Sequence, residues 1–151
     1  PQMIHTRQIV VMTAINGLGD HGYVDLIRLG AERAYMNLPE DTYMQFYTPT
    51  SFEQAEQTAD YYLHKGAGSY DSTLLVMAGT DFWSIVEDYI NDTTIDSRVD
   101  ILVFESEELP KGRNSDHIIG FSVDMYEGSF DAGVSVAEMG FQSPLIWLAT
   151  T

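Results

Sequence analysis

The chain has 151 residues, enough for one domain with a full core. It is 44% hydrophobic and 20% charged, which excludes disorder as a description of the whole. Seven Lys and Arg against 23 Asp and Glu leave a net charge of −16; such a surface repels phosphate backbones and anionic headgroups, which argues against nucleic acid and peripheral membrane binding, and its plainest use is solubility.

In chain order, Gln8 to Ile15 (QIVVMTAI) is a short apolar, β-branched run that predicts a buried central strand. Gly22 to Asn37 predicts a helix, with Ile27, Ala31, Ala34 and Leu38 at three- and four-residue spacing. Asp25 falls in its first turn, favourable against the positive end of the helix dipole, and Arg28 with Glu32 forms an i,i+4 pair on the wet face. Tyr43 to Tyr47 is the second strand. Ser51-Phe52-Glu53-Gln54 fits a capping box that opens a helix running through Ala55, Ala59 and Tyr62 to a stop near Lys65-Gly66. Ser72 to Ala78 (STLLVMA) is a third strand, apolar on both faces, and Phe82 to Ile90 a third helix capped by Thr80 or Asp81. Val99 to Glu105 and His117 to Val123 are two more strands, separated by a polar loop broken at Pro110 and Gly112. Tyr126 to Met139 predicts a helix whose Gly128, Ala132, Gly133 and Ala137 allow close approach to a neighbour. Pro144 to Ala149 (PLIWLA) is a last buried-type strand.

Strands alternating with helices imply right-handed crossovers and a mostly parallel sheet. The expected fold is a three-layer α/β/α domain with a doubly wound sheet of order 2-1-3-4-5. Residues 1–140 form the α/β ligand-binding lobe, and 141–151 an apolar strand that begins a second lobe or extends this sheet.

In such a sheet the ligand crevice lies beyond the carboxyl ends of the strands, where strand order reverses. For this order that point is between the first and third strands, over the loops Asn16 to Gly22 and Gly79 to Phe82. Candidate ligand residues there are Asn16, Asp20, His21, Tyr23, Thr80, Asp81 and Phe82, with Glu105 and Asp124 added from the next strand ends. Carboxylates, an amide, hydroxyls and aromatic rings suit a neutral or cationic small molecule bearing hydroxyls, and two rings can clamp a flat one. Taken alone, Asp20 and Asp81 fit helix caps better than ligand contacts, Tyr23 and Phe82 fit packing staples equally well, and His21 fits plain surface.

Gly17-Leu18-Gly19-Asp20-His21-Gly22 spells GxGxxG at a strand-to-helix junction. A dinucleotide loop also needs an acidic residue at the end of the second strand to hold a ribose. Here that strand runs into Thr48-Pro49-Thr50-Ser51, and Asp20 adds a negative charge where a pyrophosphate would sit. Ser51, Ser84, Ser129 and Ser135 lack a GxSxG elbow, and there is no GxxxxGK[ST] loop. The strand ends lack the acidic residues of a phosphoacceptor receiver. Without cysteine there is no thiolate chemistry or disulfide, and His5, His64 and His117 are scattered among different elements, so no metal site, cofactor or catalysis is expected.

The loop and its helix, Gly17-Leu18-Gly19-Asp20-His21-Gly22-Tyr23-Val24-Asp25 followed by Gly30-Ala31-Glu32-Arg33-Ala34, resemble the first-helix motif of the basic membrane protein family of substrate-binding lipoproteins. Glu127-Gly128-Ser129-Phe130-Asp131-Ala132-Gly133 is similar to that family's EGSFLAG motif, and Gly79-Thr80-Asp81-Phe82 stands at its glycine-and-phenylalanine loop. The resemblance implies the first lobe of a type I periplasmic binding protein that serves an ABC permease and binds a nucleoside by base stacking and acidic contacts to the ribose. Asp20, Tyr23, Asp25 and Phe82 would carry those contacts. It also implies a periplasmic or extracytoplasmic location and a lipid anchor; Pro1 is not a natural start, and the expectation is that a preceding segment with the targeting signal has been removed. Val24 stands where the family has an asparagine, His21 replaces a lysine and Gly22 a serine.

The expected function is therefore a non-catalytic lobe for a nucleoside- or sugar-like ligand. The alternatives are a nucleotide-binding enzyme domain using the Gly17 to Gly22 loop, or a single-lobe module that forms a homodimer through its crevice or last strand.

Overall fold

The computed structural model describes residues 6–15, 17, 19, 23–65, 68–79, 82–105, 110–122, 134 and 138. The chain divides into two units, Pro1–Phe121 and Ser122–Thr151. The first contains a sheet of five strands, all parallel, in the order β2-β1-β3-β4-β5. Its elements follow as β1 (Arg7–Thr13), α1 (Tyr23–Tyr35), β2 (Thr42–Tyr47), α2 (Phe52–His64), β3 (Ser72–Ala78), α3 (Trp83–Tyr89), β4 (Val99–Phe104), a 3-10 turn at Ser115–His117, and β5 (Ile118–Phe121). This is the flavodoxin-like architecture expected. In the second unit Val134 and Glu138 are helical. The rest of the helix expected over 126–139, and the strand expected over 144–149, lie outside the described residues. No helix among the described residues is long and apolar enough to cross a membrane.

Strands apolar on both faces fold as buried parallel strands because helices must cover each side. One face brings Val10, Met12, Leu75, Met77, Ile101 and Val103 against Ala55, Ala59 and Leu63 of α2 and Ile85 and Val86 of α3. The other brings Val11, Val76 and Ala78 against Ile27 and Ala31 of α1. Burying a side chain of the Leu, Ile or Met class is worth about 1.5–3 kcal/mol, so these contacts, repeated along β1, β3 and β4, drive the assembly.

The helices begin and hold as their sequences direct. Ser51 caps α2, its Oγ accepting the Gln54 N–H at 3.2 Å. Gln54 reaches back one residue further than a capping box asks, its Oε1 accepting the Thr50 N–H at 2.7 Å. On α1 the Arg28 guanidinium donates to Glu32 at 2.9 Å and lies 5.6 Å from the centre of the Phe46 ring, so it covers part of the sheet as well as pairing. Helix α3 starts at Trp83 with Phe82 at the capping position, which makes no side-chain capping bond; Thr80 and Asp81, the expected caps, lie outside the described residues.

Candidate functional site

Since all five strands run one way, Thr13, Tyr47, Ala78 and Phe104 end on a single rim. The chain leaving β1 passes to β2, whereas the chain leaving β3 passes to β4 on the opposite side. The two connections part above β1 and β3, the place where open sheets of this kind leave room for a ligand. Thr13 is in register with Ala78, and a Cβ built on Gly79 would stand 3.2 Å from the Ala14 Cα. The turns after β1 and β3 are therefore side by side, as the sequence reading requires.

Small residues make this approach feasible. A Cβ on Gly17 would meet Val24 Cγ2 at 2.8 Å, so a side chain there would push the first turn of α1 away from the sheet. Gly19 has a φ of +87°, a left-handed backbone that glycine adopts without strain. Its N–H donates to Asp25 Oδ1 at 3.0 Å. Asp25, expected at the ligand, thus anchors the loop from the first turn of α1.

Two further features of the rim had no signal in the local sequence. Thr13, fully buried, and Thr48 place their hydroxyl oxygens 2.7 Å apart, tying the ends of β1 and β2 together. Glu105, immediately after β4, has a φ of 55°. For a residue with a side chain that conformation costs on the order of 1–3 kcal/mol, and such strain gathers where a loop is held for a purpose. Glu105 belongs to the expected rim; its backbone strain was not foreseen.

Among the expected ligand residues, Asn16, Asp20, His21, Thr80, Asp81 and Asp124 lie outside the described residues. Tyr23 opens α1 at the rim. Phe82 requires a correction. Its N–H donates to the Gly79 carbonyl at 3.2 Å, closing a tight turn, and its ring is 1% exposed within the core under α3. Ring atoms Cδ2 and Cε2 would stand 3.0 Å from a Cβ on Gly79. The ring therefore sits under the turn as packing and does not face a ligand, which removes one of the two expected aromatic clamps.

The opposite edge of the sheet has a different character. A depression of about 180 Å³ there is lined by Arg7, Gln8, Thr42, Ser72, Thr73 and Asp100, among others. Several of its polar groups already face one another: Thr73 Oγ1 donates to Gln8 Oε1 at 3.2 Å, and Asp100 Oδ1 lies 2.8 Å from His117 Nδ1. Nearby, the Arg98 side chain and backbone donate to Asp96 and hold its carboxyl below the usual range, while the same contact raises the guanidinium. Arg98 also donates to the Gly68 and Tyr70 carbonyls at 3.3 and 3.0 Å, pinning the α2–β3 connection. These are groups fastening loops, an arrangement that accounts for the charge without a ligand.

Compared with known proteins, the chain matches no protein-family model, no curated protein and no solved structure.

Proposed function

We propose that the chain is a non-catalytic binding lobe that takes a small, hydroxyl-bearing molecule of nucleoside- or sugar-like chemistry at the carboxyl rim between β1 and β3. The observation that carries this reading is the reversal of strand order between those strands, where the turns at Ala14 and Gly79 lie side by side. Glu105 and the Thr13–Thr48 pair add oxygen atoms around the same rim. With a net charge of −16, the molecule favours neutral or cationic ligands over phosphates. The likeness of the Gly17 to Asp25 and Glu127 to Gly133 stretches to the basic membrane protein family supports a finer proposal: a first lobe of an extracytoplasmic receptor, lipid-anchored in its parent protein and serving an ABC permease. A lobe that closes on its ligand with a partner lobe binds weakly alone.

Isothermal titration tests the reading. Heat with guanosine or adenosine and none with NADH is the expected result; the reverse pattern removes the receptor and favours a nucleotide-using enzyme domain. Tyr23→Ala should weaken nucleoside binding by about 1–3 kcal/mol if its ring stacks on the base. Unchanged affinity with a lowered melting temperature would assign that ring to packing.

A further inference from the structure

At the far end of α2, away from the rim, His64 has acceptors on both ring nitrogens. Nδ1 lies 2.9 Å from the Asp60 carbonyl oxygen and 3.1 Å from Asp60 Oδ1, one turn back on α2. Nε2 lies 3.1 Å from Oδ2 of Asp92, which belongs to the turn after α3. A neutral imidazole has one N–H, so it would satisfy one side and set a lone pair against oxygen on the other. The imidazolium donates to both.

The surroundings favour that form. His64 ends α2, where the helix dipole is negative, and its ring packs edge-on against Tyr89 of α3 with centroids 5.9 Å apart. The charged groups at this corner are Asp60 and Glu56 on α2, Asp88 on α3, and Asp92 after it; burial first, and then these carboxylates, push the Tyr89 hydroxyl up to about 12. Lys65 follows His64 and is exposed, and Arg98 is committed to Asp96, whose own N–H donates to the Leu63 carbonyl at 2.8 Å. Asp92 is held charged, below its usual range, first by the Thr94 hydroxyl and N–H and then by His64. Burial alone would lower the His64 pKa, but the bonds to Asp60 and Asp92 outweigh it and the net shift is upward.

We propose that His64 is a pH-operated clasp: as imidazolium it ties the last turn of α2 to the turn after α3, and on losing its proton it releases Asp92. The sign follows from the raised pKa. The clasp's contribution is complete below the ordinary histidine value of about 6.5 and is lost as pH rises through the higher folded value. Deprotonation also deletes a positive charge from an acidic corner of a chain with a net charge of −16, so release and repulsion act together.

Imidazole NMR on the full wild-type chain tests this without a variant. Both His64 ring nitrogens should carry protons at about pH 6, with a titration midpoint above the ordinary value of about 6.5, and Asp92→Asn should lower that midpoint. His64→Gln gives the energetic readout: the ratio of wild-type to variant folding constants should be several-fold larger at about pH 6 than at about pH 8.5. A midpoint at or below the ordinary value, or parallel stability curves for wild type and variant across that interval, would overturn the clasp. His117→Gln, which removes the exposed contact to Asp100, should leave the His64 midpoint in place.

Discussion

The two faces of the sheet are built to different standards. Under α2 and α3, Val10, Met12, Leu75, Met77, Ile101 and Val103 are at most 1% exposed, and the helices meet them with their own buried Ala55, Ala59, Leu63, Ile85 and Val86. Under α1, Val11, Val76 and Ala78 are buried but Ile9, Leu74, Leu102 and Phe104 are half-buried. Toward β5 the same face opens further, with Ile119 and Phe121 at 58% and 48% exposure and Phe121 resting edge-on against Phe104. Strand composition is nearly equal on the two sides, so the difference teaches that apolar patterning records which residues can be buried, whereas the helices decide how dry each face becomes. Most of the packing energy of the first unit therefore resides on the α2–α3 face.

Paired truncations would break that comparison if it is wrong. Leu75→Ala on the dry face should lower stability by about 2–5 kcal/mol, since a fully buried leucine leaves both lost contacts and a cavity. Leu102→Ala on the other face should cost roughly half of that or less, because water already reaches its neighbours. Urea unfolding read as a change in midpoint at constant slope would check both. Equal losses would mean that the α1 face is as well packed in solution as the other.

Gly79 offers a steric version of the same test, with a smaller effect. An added methyl would stand 3.0 Å from the Phe82 ring and 3.2 Å from the Ala14 Cα, and neither neighbour can yield: the ring is locked in the dry core and the other contact is backbone. Gly79→Ala should cost about 1–3 kcal/mol through overpacking. Because the same methyl would push apart the two turns that flank the proposed crevice, ligand affinity and melting temperature should fall together.

These contrasts also mark how far the sequence could be read. Both-face apolarity in QIVVMTA and STLLVMA points to a parallel, helix-covered sheet, and the order 2-1-3-4-5 found is one of the two common doubly wound orders that right-handed crossovers permit. The Ser51 cap and the Arg28–Glu32 pair are local, within four residues, and were equally legible. Phe82 was not: whether an aromatic beside a ligand loop faces inward depends on how closely Gly79 and Ala14 approach, a tertiary fact. The contacts of His64 with Asp92 and of Thr13 with Thr48 span 28 and 35 residues, beyond any periodicity, so histidines that look scattered along the chain meet carboxylates in space. What topology made legible was the shared rim on which the strands before the candidate loops end. The side-chain arrangement was not, because loop conformation obeys no repeating pattern.

Gly30 sharpens the comparison from the loose side, where the smallest effect and the opposite sign are expected. It lies in the interior of α1, exposed, and a Cβ there meets nothing within 4 Å. Glycine inside a helix gives up backbone entropy that alanine does not, so Gly30→Ala should raise stability by about 0.5–1 kcal/mol. Leu26 and Leu29, 67% and 49% exposed on the same helix, make this an informative position. A methyl at Gly30 that destabilised the protein would show that this side of α1 is in contact with something close enough to be displaced.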